Sequence, residues 1–491
     1  MSDLDSSMCS FTIQDFQRKK PFSSFLPGIA GLKGIPMWVF YVNRGQGIAG
    51  FGVESKDHPL MEFQCAQRAY QNTAQMGFRT FLVGKRNQTV WHYEPFGLQQ
   101  QSLFQRDLIT GLNEFSIEET NSELGLKVKV LYFLLPNAPI GALVRLVTLT
   151  NIGSDRLELE GLDGLPVIAP YGINDQTLKN MGRTIEAWME VVNHENGLPF
   201  FRIKASANDE LKVEEIKAGN FAFGFEGSKL LPALVDPQAV FGNDTAFTYP
   251  EKLKGGLKAL LQCSQTTQGR TPCAFIGFQH ILEVGQSMEL ASLYGNASSL
   301  DLIQGQVNGL AEPGSIERKL EEARAIAADI TNAVQTKSAS RIFDDYCRQT
   351  YLDNVMRGGA PLIIGGRHVY HTYSRKHGDL ERDYNFFVVS PEFYSQGNGN
   401  FRDVNQNRRS DVFFNPRAGA FNIRLFLSLI QSDGYNPLVI QGSTFTLDDG
   451  KAQELLSLSG EPGELQRLFS AHFTPGRLLD VIQRARLLIP D

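Results

Sequence analysis

"LKVKVLYFLLPNAPIGALVRLVTLTNIG", Leu126 to Gly153, sets apolar residues at alternate positions, pauses at a Pro-Asn-Ala-Pro turn and alternates again. A period of two sends successive side chains to opposite faces, which is the signature of strands and not of helices. Turn residues between the two runs make them neighbours in an antiparallel sheet. The same pattern extends outward, from about Trp38 to Tyr294, through runs such as "FAFGFEGS" (Phe221 to Ser228), and helical stretches are rare within it. So long a stretch of short, turn-bounded runs predicts a large antiparallel β-sandwich in preference to a βαβ fold.

The pattern changes at "AEPGSIERKLEEARAIAADITNAVQ", where Ile316, Leu320, Ala323, Ile326, Ala327 and Ile330 recur at helical spacing and Ser315 is placed to cap. Beyond Ser340, "SRIFDDYCRQTYLDNVM", "FNIRLFLSLIQ", "GKAQELLSLSG" and "GRLLDVIQRARLLI" read as helices joined by long polar loops. The expected class is therefore β then α, multidomain. Its parts are an N-terminal extension (1–20), a β-sandwich (21–310), a helical linker (311–340) and a mainly α unit (341–491). A length of 491 residues is more than one core usually serves, in keeping with several units.

Composition narrows the function classes. A 42% hydrophobic, 20% charged chain without a long apolar run or a basic-then-apolar leader reads as a cytosolic protein. The five cysteines are scattered without a C-x-x-C pair, so neither a disulfide framework nor a zinc site is expected. A net charge of −6 and no long basic run argue against nucleic acid as a partner.

Within this acidic chain, Arg357 to Arg424 carries ten Lys/Arg against six Asp/Glu, with His368, His371 and His377. At its centre stands "GNGNFRDVNQNRRSDVFFNP", Gly397 to Pro416. Arg among Asn and Gln offers donors and acceptors in planes, which suits a ligand rich in hydroxyls or one with a phosphate. Charge density alone is equally explained by ion pairs that pin a loop. The glycines, expected to allow close backbone approach, and the length of the loop favour binding. "YSRKHGDLERDYNFF" adds Asp379, Glu381 and Asp383, which could serve as general acid or base or simply be solvated. The histidines fit no zinc pattern, and "VNRGQGIAGFG" (Val42 to Gly52) reads as strand-turn glycine and not as a phosphate cradle.

"FRDVNQN", Phe401 to Asn407, resembles the F-R-D-S-N-Q-D stretch of glycoside phosphorylases of the cellobiose phosphorylase type, glycoside hydrolase family 94 and related β-glucan phosphorylases. That family is similar in its order of units: a galactose mutarotase-like β-sandwich, a helical linker and a six-hairpin (α/α)6 barrel. The resemblance implies substrate binding by Arg402 and Asp403, with Asn405, Gln406, Asn407 and Arg408 beside them. Asn407 replaces the family's closing Asp, exchanging a charged acceptor for an amide, and Arg408 lies outside the motif.

The implied chemistry is inverting phosphorolysis of a β-linked gluco-oligosaccharide to an α-sugar 1-phosphate. Inorganic phosphate is the co-substrate, no other cofactor or metal is needed, and one protein carboxyl protonates the leaving oxygen. No D-x-N-D segment, the family's carrier of that acid, occurs here, so the sequence is expected to stop before the general acid; Asp383 is the one candidate within it. The 151 residues from 341 to 491 have room for about half a twelve-helix barrel, so an N-terminal portion with an incomplete barrel is expected. Such a chain would expose apolar helix faces and associate, as a homodimer or with a second polypeptide that completes the barrel. The alternatives are a non-catalytic sugar-binding or scaffold subunit and a hydrolase using Asp379, Glu381 or Asp383.

Overall fold

The computed structural model of the protein describes residues 9–97, 104–205, 216–376, 386–458 and 462–484. The candidate acid Asp383, with His377, Asp379 and Glu381, lies outside the described residues.

Leu126–Leu134 and Gly141–Asn151 are adjacent antiparallel strands in register from Leu126 opposite Asn151 to Leu134 opposite Leu143. They sit in the middle of a ten-stranded sheet. Its outer strands on one side are Glu114–Asn121, Gln105–Thr110 and Phe11–Gln14; on the other are Ser287–Ala297, Gly219–Glu226, Phe200–Ile203 and Met189–Val192, with Lys229–Leu230 paired to Gly219–Glu226 off this path. Phe11–Gln14, within the segment read as an extension, thus forms an edge strand. A five-stranded sheet centred on Leu157–Leu165 and a four-stranded sheet containing Trp38–Val42 and Ile48–Gly52 complete the β part. Named strand pairs in all three sheets are antiparallel.

The alternation has a two-sided meaning. Val128, Val130, Tyr132 and Leu134 enter the core between the sheets, against Leu82, Leu159 and Phe278 of the second sheet. Leu131, Phe133 and Leu135 point the other way, into a cluster with Ile303, Leu310, Ile316 and Ala323. Lys127 and Lys129 precede them on that outer face and pair with Glu118. The outer face therefore turns from charged to apolar where helices cover it, each buried side chain contributing about 1.5–3 kcal/mol. Inside the sandwich Arg145 is fully buried and doubly bonded to Asp163, Nε to Oδ2 at 2.9 Å and Nη2 to Oδ1 at 2.6 Å.

Among the described residues four α-helices interrupt the β part: α1 (Ala66–Met76), α2 (Asp175–Ile185) and the short α3 (Pro237–Phe241) and α4 (Leu257–Leu261). α1 buries Ala66, Ala69, Thr73 and Ala74. A face of small residues lets it lie close to the sheet, yet it leaves little apolar periodicity to read. The covering helices are α5 (Leu300–Leu310) and α6 (Ser315–Thr331). Ser315 does not cap α6: Gly314, at φ 72°, is the N-cap, and Ser315 is the buried first residue. Ile316 and Ala323 of α6 pack on the sheet, while Ala327 packs on Leu352, Val355 and Met356 further along the chain. One helix thereby couples the two halves.

The second half holds α7 (Arg341–Gly358), α8 (Phe401–Arg408), α9 (Asp411–Phe414), α10 (Phe421–Ser428), α11 (Asp449–Leu458), α12 (Pro462–Phe469) and α13 (Pro475–Arg484). It also holds a hairpin absent from the sequence reading, Ala360–Ile364 paired with His368–Thr372, whose turn uses Gly365 and Gly366 at φ 57° and 72°. "GYNPLVI", Gly434 to Ile440, runs into the short strand Val439–Ile440, paired with Gly399–Asn400. The halves interlock: Phe387 inserts among Trp38, Phe40 and Phe63, and Val389 N–H donates to Glu54 O at 2.7 Å.

Candidate functional site

α7 begins where the Ser340 hydroxyl accepts from Phe343 N–H at 3.4 Å. Its Leu352, Val355 and Met356 face Ile29 and Ala327. Phe343, Tyr346, Cys347, Thr350 and Asn354 recur every three or four residues on another face and line an open cleft of about 770 Å³. Gln406, Asn407, Arg409, Ser410, Asp411 and Phe414 line it from α8, α9 and their junction. Rings and planar amides thus share one concavity, with Tyr351 and Phe414 packed edge to face at 4.8 Å.

The expected loop "FRDVNQNRR" is a helix over Phe401–Arg408. Phe401, Val404 and Arg408 are buried at i, i+3 and i+7, which is helical spacing. One anchor is an arginine and the rest of the segment is polar, so the pattern is hidden from a hydrophobicity reading. Arg408 Nε donates to Gly358 O at 2.6 Å, and burial lowers its pKa to about 10 against the opposing pull of Asp411. The glycines allow close approach to the chain itself: a Cβ at Gly397 would stand 1.9 Å from Val388 O, and one at Gly399 2.3 Å from Val404 Cγ2.

The expected substrate-binding residues separate into two groups. Gln406 and Asn407 line the cleft. Arg402 has an 88% exposed side chain, Asn405 is also exposed, and neither of them, nor Asp403 or Arg408, lines it. Arg402 Nε donates to Asp403 Oδ1 at 3.0 Å, and Asn400 Nδ2 to Oδ2 at 3.2 Å. Burial pushes the Asp403 carboxyl up, but these two hydrogen bonds and the charges of Arg402 and Arg357 together outweigh it and hold the group below its ordinary value. Asn407 Nδ2 donates to Asp403 O at 2.7 Å.

His371 and Asp411 form a buried pair, Nε2 to Oδ2 at 2.8 Å, and Asn422 Nδ2 donates to the same oxygen at 2.8 Å. Burial, with the Arg408 charge adding to it, lowers the His371 pKa to about 4. At neutral pH the pair is therefore a hydrogen bond from a neutral imidazole to a carboxylate, not an ion pair. His368 packs edge to face on Phe421 and Phe445, both at 5.0 Å. Among the described residues no group of His, Cys, Asp and Glu could hold a metal ion.

Two contributors to the cleft lie outside the sequence reading of the site. The face of α7 carries a signal in "FDDYCRQTYLDNV", where aromatic and amide or hydroxyl groups recur at helical spacing. Asp411 stands one turn beyond Asn407, and its partners come from elements 40 and 11 residues away, so no local motif marks it.

No protein-family model and no curated protein matches the sequence. Among solved structures, a bacterial glucoamylase complexed with acarbose is similar at 10% identity and TM-score 0.39, over 95% of this chain and 58% of that one. A polysaccharide lyase is similar at 11% identity and TM-score 0.31, over 56% of this chain and 34% of that one. The family GH92 α-mannosidase of Bacteroides thetaiotaomicron is similar at 11% and 0.31, over 71% and 43%. This chain spans about one third to three fifths of the length of these carbohydrate-active enzymes.

Proposed function

We propose that the protein is carbohydrate-active and glycoside phosphorylase-like, holding a β-linked gluco-oligosaccharide in the cleft between α7 and the α8–α9 turn. The observation that carries this reading is the meeting of Phe343, Tyr346, Tyr351 and Phe414 with Asn354, Gln406 and Asn407 in one concavity. Pyranose rings present apolar faces to aromatic side chains and in-plane hydroxyls to amides, so both halves of the lining have a use. In this reading the β part is a galactose mutarotase-like sandwich, α7 to α13 belong to an (α/α)6-type unit, and the protein works in the cytosol, where its five free cysteines stay reduced.

The chemistry proposed is inverting phosphorolysis, with inorganic phosphate as the nucleophile and an α-sugar 1-phosphate as product. Arg409, exposed at the cleft, is placed to attract the phosphate. The cleft residues bind and orient; the proton donor is assigned to none of them.

The test is incubation with laminari- and cello-oligosaccharides, with and without phosphate. Phosphate-dependent release of sugar 1-phosphate is the expected result. Release of reducing sugar without phosphate would replace phosphorolysis by hydrolysis, and absence of oligosaccharide binding by calorimetry would remove the reading altogether.

A second reading, a sugar-binding subunit that works with another polypeptide, is favoured by one feature. Ile423, Leu427 and Ile430 form an exposed apolar face on α10 and just beyond it. It predicts binding without turnover by the chain alone.

A further inference from the structure

Among the described residues that line the cleft, Asp411 is the one carboxylate. It is 8% exposed and leaves the hydrogen bonds of its two oxygens unequal. Oδ2 receives His371 Nε2 and Asn422 Nδ2, each at 2.8 Å. Oδ1 has no hydrogen-bond partner among the described residues. Asn422 Nδ2 is further fixed by Arg408 O at 3.0 Å, and His371 is 1% exposed, so the donors that orient the carboxylate are themselves held.

Burying a carboxylate is costly unless its acceptor capacity is used. The two donors that serve Oδ2 are neutral groups, and the buried Arg408, whose charge Asp411 feels, spends its Nε on Gly358 O; Oδ1 is not among the fully buried unpaired atoms and so stays open as an acceptor.

We infer that Asp411 accepts hydroxyl donors from the bound sugar through Oδ1 and restricts the subsite it faces to a glycosyl ring without a carboxylate of its own, turning away uronic acids. The inference rests on the reading of the cleft as a carbohydrate site and adds the residue that selects for an uncharged sugar ring there. An ionised carboxylate is acceptor-only, so it complements O–H groups and has nothing to offer a second anion. A like charge brought within hydrogen-bond range in a partly desolvated cleft is repelled where a hydroxyl is held. The exposed Arg409 leaves room for an anion elsewhere along the same cleft, which keeps the restriction local to Asp411.

Calorimetric titration of the unaltered chain with laminaritriose and with the same trisaccharide oxidised at C6 to its uronate tests the charge preference without any substitution. Binding of the neutral trisaccharide and at least about tenfold weaker binding of the anionic one is expected. Equal affinity for both overturns the inference and leaves the carbohydrate reading standing. If neither that trisaccharide nor cellotriose binds, the carbohydrate reading itself fails and the inference falls with it.

Asp411→Asn keeps the size and one acceptor oxygen. It is expected to weaken laminaritriose binding by about tenfold or more and to narrow the gap to the uronate form. Unchanged laminaritriose affinity in a folded Asp411→Asn variant, judged by circular dichroism, would also overturn it.

Discussion

His371 illustrates how a buried side chain links acid stability to the site. Its imidazole stays neutral in the folded protein down to a pKa of about 4, against 6.5 for an unperturbed histidine. Between those two values the unfolded chain binds the extra proton and the folded one does not, so stability is lost as pH falls from about 6.5 through about 4. The full effect is on the order of 3 kcal/mol. Urea unfolding should therefore show the advantage of the wild-type protein over His371→Gln shrinking across that window and constant above it. Parallel pH dependences would mean that His371 binds its proton in the fold as readily as in the unfolded chain.

At the same scale, the sequence exposes chemistry better than placement. Gln406 and Asn407 could be selected from "FRDVNQN" and do line the cleft; Arg402 and Asn405 share the motif and project into solvent. Which side of a helix faces a concavity depends on the anchors, here Phe401, Val404 and the buried Arg408. A buried arginine is no cue that a hydrophobicity pattern supplies.

Elements were legible wherever one face met a core. Leu126–Leu134 and Gly141–Asn151 alternate because the sheet has two faces, and α6 shows helical periodicity because it lies on both the sheet and α7. α1 and α8 were not, since one buries alanines and threonine and the other an arginine. The contact between α7 and α8 depends on a residue without a side chain. A Cβ at Gly358 would lie 2.9 Å from Asn407 Cβ, on the same turn whose carbonyl receives Arg408. Gly358→Ala should cost about 1–3 kcal/mol of stability by forcing the helices apart. It should also weaken oligosaccharide binding several-fold by displacing Asn407. A variant as stable as wild type in chemical denaturation would show that α8 shifts freely.

For the whole molecule, the two-part order from strands to helices could be read from the change in period, while the coupling between the parts could not. Contacts such as Phe387 with Trp38 join residues some hundreds of positions apart and leave no local trace. The surfaces of the halves also differ. Ile423, Leu427 and Ile430 are 65%, 64% and 49% exposed, with Phe413 and Leu438 at 80% and 87% in the same helical half. Apolar area of this kind favours association. Leu427→Glu should reduce self-association, or capture of a second polypeptide, by at least about tenfold with unchanged circular dichroism. Sedimentation at micromolar concentration reads the first and co-purification the second. A wild-type monomer indistinguishable from the variant in both would exclude that face as an interface.

Phe387 has an implication for how the protein can be divided. Its ring meets Trp38, Phe63 and Phe25 at 5.5, 5.9 and 5.4 Å, each nearly edge-on. Cutting the polypeptide at the linker would leave an unfilled socket beside an indole, and the sandwich would lose a plug that it cannot supply itself. The boundary visible in the text of the chain is a change of style, not a seam along which it comes apart.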